Sequence, residues 1–202
     1  MFRTAIGTAL AALAAALALS GSAGAVNGLS RIRGTVEMRT DDTLVVRRYD
    51  GGTVTAYMNP KTRLLIASPS RVRDIKPESY ISVISEPQGE GRAVREIALY
   101  SPSERGFEAG SQPWDTGPGA TLTGGWIADR TGTDPVHVRL RHGDETPSFT
   151  LPRGTPTTQI GPGERALLVP GANVVIFART DGQGLLNADT IAVGRLGVRP
   201  AL

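Results

Sequence analysis

Few residues of this chain suit metal binding. There is no cysteine, and the only histidines are His137 and His142. Residues five apart on a strand point to opposite faces, so these imidazoles cannot share a metal ion without a bend between them. Asp41, Asp42 and Asp50 could hold calcium, but Asp is also a residue that hairpin turns require. We therefore expect no metal site and no cofactor.

No catalytic motif stands out in the sequence. It contains no Gly-x-Ser-x-Gly elbow, no HExxH and no glycine-rich phosphate loop. Glycoside hydrolysis needs only two carboxylates, and the order of the 19 acidic residues marks no such pair. We predict no catalytic residues and favour a protein that is not an enzyme, with an enzyme acting on glycan through carboxylates as the alternative.

A weak set of binding candidates combines aromatic rings with basic side chains. Small barrels of the OB type bind single-stranded nucleic acid through basic grooves and stacked aromatic rings. The residues that resemble such a platform are Tyr57, Tyr80, Arg33 and Arg47. In the second half of the chain Phe149 corresponds to Tyr57, where filling of a barrel core explains both rings better.

The charge of the chain is mildly basic. Its 22 basic and 19 acidic residues give a net charge of +3, and both signs are interspersed. Such a surface is typical of a solvated protein before it indicates a polyanion site. We expect an envelope protein or a small anionic ligand as partner, and nucleic acid is not favoured.

The first residues have the pattern of a secretory signal peptide. Arg3 precedes an apolar run at residues 9–19, and small residues follow at 23–25. The run is shorter than the roughly 20 residues that a bilayer-spanning helix needs. We expect cleavage of residues 1–25 after Ala25, no membrane span thereafter, and a periplasmic or secreted product.

The chain repeats itself in its second half. Ile75 falls on Leu168 and Pro77 on Pro170, at an offset of 93 that continues through residues 71–100 and 165–193. An offset of this size indicates two copies of a domain and not a solenoid. No cysteine is present, so packing alone must stabilise them.

The first copy predicts short antiparallel strands. Residues 31–39 alternate between apolar and charged, with Ile32, Val36 and Met38 on one face. Asp50 and Gly51 supply a hairpin turn. Further along, Val83 and its counterpart Ile176 should point inward, and Ser82 and Arg139 outward. The pattern predicts an all-β fold of two tandem small OB-like β-barrels, at residues 26–100 and 121–202.

The connection at residues 101–120 is rich in Gly, Pro and Ser but also holds Phe107 and Trp114. A flexible spacer has no use for two large aromatic rings. We expect an ordered linker with Trp114 buried between the barrels. The alternative is an exposed Trp114 that anchors a partner.

The order of these turns and strands resembles the DUF5666 family of exported bacterial OB-like barrel domains, in particular two-module alphaproteobacterial proteins of unknown function. The residues that carry the resemblance are Gly34-Thr35-Val36, Thr43-Leu44-Val45-Val46, Asp50-Gly51, Ile75-Lys76-Pro77 and Val94-Arg95-Glu96-Ile97. The resemblance implies a fold and supplies no activity. We expect an exported, non-enzymatic binding or scaffold protein of the bacterial envelope. A glycan-directed enzyme and an oligonucleotide-binding protein remain alternatives.

Overall fold

The structure, a computed structural model, describes residues 29–202. The expected signal peptide lies outside these residues. Thirteen strands and three short 3-10 helices follow one another, which confirms the all-β expectation. The strands are β1 (Leu29–Arg39), β2 (Thr43–Arg48), β3 (Thr53–Tyr57), β4 (Arg63–Ser70), β5 (Tyr80–Gln88), β6 (Gly91–Tyr100), β7 (Gly110–Pro113), β8 (Thr121–Thr131), β9 (Val136–Arg141), β10 (Ser148–Leu151), β11 (Thr157–Pro162), β12 (Asn173–Thr180) and β13 (Leu186–Gly194).

The helices are short and lie in the connections, at Val72–Asp74, Pro102–Glu104 and Arg165–Leu167. Among the described residues, none of the helices has the length and apolar character needed to cross a membrane. The fold is therefore built from β-strands.

Strand pairing interleaves the two sequence copies. β1 pairs antiparallel with β12, so that Ile32 faces Ile176 across the ladder. The counterpart pairing joins β8 to β5, with Thr123 opposite Val83. Strands from the start of each copy thus complete a sheet with strands from the end of the other.

Five of these strands form a closed ring, here called the first ring: β12, β1, β2, β3 and β13. The ring closes because β3 pairs in parallel with β13, where Ala56 faces Leu186. Apolar side chains fill its interior, as the alternation in each strand requires. They are Ile32, Val36, Leu44, Val46, Ala56, Met58, Leu168, Val174, Ile176, Ala178, Ala188, Ile191 and Val193.

The second ring repeats this arrangement with β6, β5, β8, β9 and β10. Its hairpins and its antiparallel joint between β5 and β8 correspond to those of the first ring. Within residues 29–202, however, no ladder joins β10 to β6, so this ring has an open seam. Its interior residues are Val72, Ile75, Ile81, Val83, Ile97, Leu99, Ile127, Val136, Val138, Leu140 and Leu151.

β4 and β11 join the two rings into one continuous sheet. They pair with each other in antiparallel fashion, and each also pairs in parallel with the last strand of a hairpin, β13 or β6. A third apolar cluster, here called the central cluster, packs between the rings. It contains Leu65, Ala67, Tyr80, Ile84, Ala98, Tyr100, Trp114, Ala120, Leu122, Ile160, Val175, Phe177, Ala192 and Leu202.

The structure does not confirm two tandem barrels at residues 26–100 and 121–202. β4 follows β3 in the chain but lies outside the first ring, where it pairs with β13 and β11. The next hairpin, formed by β5 and β6, therefore lies in the other half of the molecule. The two copies present similar apolar faces, so the sequence pattern alone does not specify which copy a hairpin joins.

The central cluster also changes the expected exposure of β5. Val83 and Ile176 are fully buried in the ring interiors and Arg139 is exposed, as expected. Ser82, expected to face outward, is buried instead, and its hydroxyl lies 2.9 Å from the hydroxyl of Tyr100. Both faces of β5 are covered because one faces the second ring and the other faces the central cluster.

Charges placed in the ring interiors should unfold the protein. We expect Val83→Asp and Ile176→Asp each to cost roughly 3–5 kcal/mol, because an unpaired carboxylate would replace a fully buried apolar group. Arg139→Asp, at an exposed position of β9, should cost under about 0.5 kcal/mol. Chemical denaturation measures all three. Equal tolerance at the three positions would contradict the observed register.

Cutting the connection at residues 101–120 should leave the two halves of the chain bound to each other. Each ring contains strands from both sides of the cut, so separation would expose both interiors. Limited proteolysis followed by size-exclusion chromatography without denaturant checks this. Elution of two independent fragments would contradict the interleaved pairing.

Candidate functional site

The open seam of the second ring is the place where the two rings differ. In the first ring, Ala56 points inward opposite Leu44 and pairs with Leu186. In the second ring, Phe149 occupies the inward position of β10, opposite Val138. The ladder that closes the first ring therefore has no counterpart beside Phe149.

Arg92 lies on the other side of this seam. It precedes Ile97 of the second-ring interior by five residues, as Leu186 precedes Ile191 in the first ring. A guanidinium thus stands where the closed ring has an apolar side chain. The hairpin of β5 and β6 and the hairpin of β12 and β13 have register shifts at matching positions. This match supports the equivalence of Arg92 and Leu186.

A cavity of about 500 Å³ occupies the seam. This volume lies in the range typical of small-molecule sites. Its walls come from five strands and from the residue that precedes β10. The lining residues are Ser85, Arg92, Val94, Ser111, Thr121, Thr123, Pro147, Ser148, Phe149 and Thr150.

Arg92 is held in place by neutral oxygen acceptors. Its Nε donates to Ser85 Oγ at 3.0 Å, and its Nη2 donates to the Ser85 carbonyl at 2.7 Å and to Thr121 Oγ1 at 2.8 Å. The Gly119 carbonyl accepts a further bond at 2.9 Å. Within the described chain no carboxylate lies within ion-pair distance of this guanidinium. The guanidinium of Arg92 is therefore fixed in orientation, and no carboxylate of the described residues neutralises its charge.

Hydroxyl groups form most of the polar wall. Ser85 Oγ lies 3.2 Å from Thr121 Oγ1, and Ser111 Oγ lies 3.0 Å from Thr123 Oγ1. Ser148 and Thr150 of β10 also border the cavity, on either side of Phe149. A hydroxyl can both donate and accept a hydrogen bond, so this wall suits a ligand with several polar oxygens.

The residues that line the seam cavity carry hydroxyl, guanidinium and apolar groups. None of the ten lining residues is Asp, Glu, His, Cys or Lys. The hydroxyls of Ser85, Thr121 and Thr123 pair with other hydroxyls or with Arg92. Ser111 Oγ also lies 3.3 Å from His142 Nε2, and Thr150 Oγ1 lies 3.2 Å from His137 Nδ1. The lining thus offers hydrogen-bond donors and acceptors to a molecule that enters the cavity.

The expected aromatic and basic platform does not assemble. Tyr80 is only 2% exposed, its hydroxyl donates to the Phe107 carbonyl at 3.4 Å, and burial raises the pKa of Tyr80 to about 12. Arg33 forms an ion pair with Asp115 and donates to the Leu202 carbonyl. Tyr80 and Arg33 thus each use their polar atoms in contacts within the protein.

The remaining two candidates lie on the first ring, away from the seam. Arg47 is exposed, and its Nε is 3.6 Å from a carboxylate oxygen of Glu37. Tyr57 is half-buried and lies opposite Thr43, outside the apolar interior. The inward counterpart of Phe149 is Ala56 and not Tyr57, which corrects the alignment expected from the sequence.

Trp114 belongs to the central cluster. Its ring is 5% exposed, and the guanidinium carbon of Arg31 lies 3.7 Å from the ring centroid. Burial lowers the pKa of Arg31, while the nearby Asp115 acts in the opposite direction. Trp114 therefore acts in packing and in a cation–π contact, and its ring is not available to a partner.

The two histidines make separate contacts. His137 Nδ1 lies 3.2 Å from Thr150 Oγ1, and His142 Nε2 lies 3.5 Å from a carboxylate oxygen of Glu145. From residue 29 onward, no group of three or more His, Cys, Asp or Glu side chains is arranged to hold a metal ion.

Arg92 and the hydroxyl wall were not identified from the sequence. Arg92 follows the Gly89 to Gly91 turn and lies among many other arginines, so neither its type nor its spacing distinguishes it. Its importance follows from the seam, which requires knowledge of how the strands pair.

Comparison of the chain with family models, with curated proteins and with solved structures finds no match. The geometry of the seam is therefore the basis for assigning a function.

Replacing Trp114 should affect stability. Trp114→Ala should cost roughly 3–5 kcal/mol, because it empties a large volume in the central cluster. Trp126→Ala, at a tryptophan that is 37% exposed, is the matched control and should cost clearly less. Thermal and chemical unfolding of both variants measures the difference. Equal losses would contradict the role assigned to Trp114.

Proposed function

We propose that this chain is a non-enzymatic binding protein that holds a small anionic ligand in the seam cavity. The observation that carries the proposal is Arg92, a guanidinium fixed by neutral acceptors at the wall of a hydroxyl-lined cavity. Guanidinium groups bind carboxylates and phosphates through two parallel hydrogen bonds. An anion would supply the negative charge that the surrounding residues do not provide.

One nitrogen of the Arg92 guanidinium is left to bind an anion. Nε and Nη2 make the bonds to Ser85, Thr121 and Gly119, whereas Nη1 makes none to residues 29–202. Nη1 can therefore donate to an anion without loss of the bonds that orient the side chain. Phe149 and Val94 would exclude water from one side of the ligand and strengthen the attraction.

The strand order supports the OB-like part of the proposal. The first ring follows the order β1, β2, β3, β13, β12, with a parallel joint at β3 and β13 and an antiparallel joint at β1 and β12. Small Greek-key barrels of the OB type are built from five strands and bind ligands on their strands and loops. In this proposal two OB-like units share strands within one chain, as the resemblance to DUF5666 domains also suggests.

The proposed cellular location of the protein is based on its N-terminal sequence. The charged, apolar and small-residue regions at residues 1–25 support export, with a periplasmic or secreted product. We include a role in the bacterial envelope in the proposal on this basis. Binding of a partner protein, glycan hydrolysis and oligonucleotide binding have no contact in the structure that favours them over anion binding.

Removal of the guanidinium should weaken anion binding. Calorimetric titration with galacturonate, inorganic phosphate and sulfate should detect binding of at least one anion. Arg92→Gln should then lower the affinity by about 10- to 100-fold, which corresponds to the roughly 1.5–3 kcal/mol of a charged hydrogen bond. Arg92→Lys should be intermediate, because it keeps the charge and loses the planar fork.

A control separates binding from stability. Arg73 is exposed and lies outside the cavity lining, so Arg73→Gln should bind as the unmodified protein does. Unfolding curves of both glutamine variants show whether either has lost its fold. The proposal fails if the unmodified protein binds none of these anions, or if a folded Arg92→Gln binds them equally well.

A further inference from the structure

The two rings can be compared position by position, because the ladder of β1 with β12 corresponds to that of β8 with β5. In the first ring Ile32 faces Ile176. In the second ring Thr123 faces Val83, which is the counterpart of Ile176. A threonine therefore stands where the first ring has an isoleucine in its interior.

Two further polar replacements occur beside Thr123. Ser85 follows Val83 by two residues, as Ala178 follows Ile176, so a serine stands where the first ring has a buried alanine. Arg92 stands where the first ring has Leu186. Thr123, Ser85 and Arg92 all line the seam cavity, and the first two are buried.

These replacements have a cost for the fold. A buried polar group lowers stability unless it is hydrogen-bonded, and the first ring shows that apolar side chains at these positions give a filled interior. The second ring has a cavity of about 500 Å³ there. Selection for stability alone does not account for this difference, whereas binding of a molecule with polar groups does.

Another part of the cavity wall is apolar. Phe149 stands where the first ring has Ala56, and Val94 lies two residues beyond Arg92 on the same face of β6. Phe149 and Val94 are half-buried and pack against the interior of the second ring. Within residues 29–202 no other aromatic ring contacts Phe149, and its side chain borders the cavity. The ring of Phe149 can therefore contact a ligand there.

The lining carries a single positive charge. Arg92 is the only basic residue among the ten that line the cavity. A carboxylate has one negative charge and can be paired by one guanidinium. A phosphate group carries about −1.5 to −2 charges at neutral pH, so a single arginine would pair it incompletely. The charge of the lining therefore favours a carboxylate.

We infer that the ligand of the seam cavity is a hydroxylated aromatic carboxylic acid. This inference rests on the proposed function and names its ligand class. The carboxylate accepts from Nη1 of Arg92, the aromatic ring packs against Phe149 and Val94, and the hydroxyl groups of the ligand bond to Thr123 and Ser111. A cavity of about 500 Å³ has room for one substituted ring.

Phe149 is the residue that favours an aromatic ring over a sugar ring. Two aromatic rings attract each other by more than the burial of their surfaces provides. A sugar acid carries hydroxyl groups around its ring, and those next to Phe149 and Val94 would lose their hydrogen bonds to water without gaining others. Phe149 thus determines the specificity of the site in this assignment.

Four compounds separate the three contacts of the inferred ligand. Gallate has the carboxylate, the aromatic ring and the hydroxyl groups. Benzoate lacks the hydroxyls, galacturonate lacks the aromatic ring, and pyrogallol lacks the carboxylate. Calorimetric titration should give the highest affinity for gallate, and each of the other three should bind about tenfold more weakly.

Variants assign the affinities to side chains. Phe149→Ala should lower the affinity for gallate and for benzoate about tenfold and leave that for galacturonate unchanged. Thr123→Val, which keeps the shape of the side chain, should weaken gallate and not benzoate. Tyr57→Ala is the control, because Tyr57 is a half-buried aromatic residue of the first ring outside the cavity. It should alter none of these affinities.

A second variant and unfolding curves keep the test independent of folding. Phe149→Leu retains an apolar side chain and should stay folded, with a smaller loss of gallate and benzoate binding than Phe149→Ala shows. If a folded Phe149 variant loses galacturonate as strongly as gallate, Phe149 acts only through the shape of the cavity, and the inference is overturned.

The outcomes separate the inference from the proposed function. If galacturonate binds through Arg92 but gallate binds no more tightly, the inference fails and the proposed function stands. Equal affinities for pyrogallol and gallate would overturn the assignment of the carboxylate to Arg92. If no anion, gallate included, binds through Arg92, the proposed function itself fails.

Discussion

The hydrogen bonding of β1 to β12, and of β8 to β5, is the interaction on which the rest of this structure depends. Through these two ladders neither sequence copy has a complete hydrophobic interior of its own. Each ring takes three strands from one copy and a hairpin from the other. The central cluster then fills the space that the exchange creates between them, and Trp114 from the connection takes part in it.

The two rings show what closure of the seam changes. In the first ring the ladder between β3 and β13 joins the strand edges and leaves apolar side chains inside. In the second ring the edges of β10 and β6 remain apart, and Arg92 and Phe149 face the space between them. A duplicated fold can thus close one copy of a ring with a strand ladder while the other copy keeps a cavity at the same place.

Much of the local structure was predictable from the sequence. Alternation identified the strands, Asp50 and Gly51 identified a hairpin turn, and the repeat identified Val83 and Ile176 as equivalent buried positions. Exceptions have local causes. Met38 was expected inside but is 54% exposed, because the register of β1 against β2 shifts between Val36 and Met38.

The features that could not be predicted from the sequence are those that depend on which strands pair with each other. Ser82 alternates correctly with Val83, but only the central cluster explains why its face is buried. Arg92 is distinguished from the other arginines only by its position at the open seam. Strand exchange between similar copies leaves no trace in periodicity, since a hairpin from either copy would present the same apolar face.

The interleaved pairing also constrains the order in which the molecule can fold. Leu29 pairs with Arg179, so β1 can pair only with β2 until β12 has been synthesised. Contacts between residues far apart in sequence slow folding, because the closure of the intervening chain costs entropy before the contacts form. The apolar strands of the first ring therefore stay exposed at first, and folding would depend on protection from aggregation until the hairpin of β12 and β13 is available.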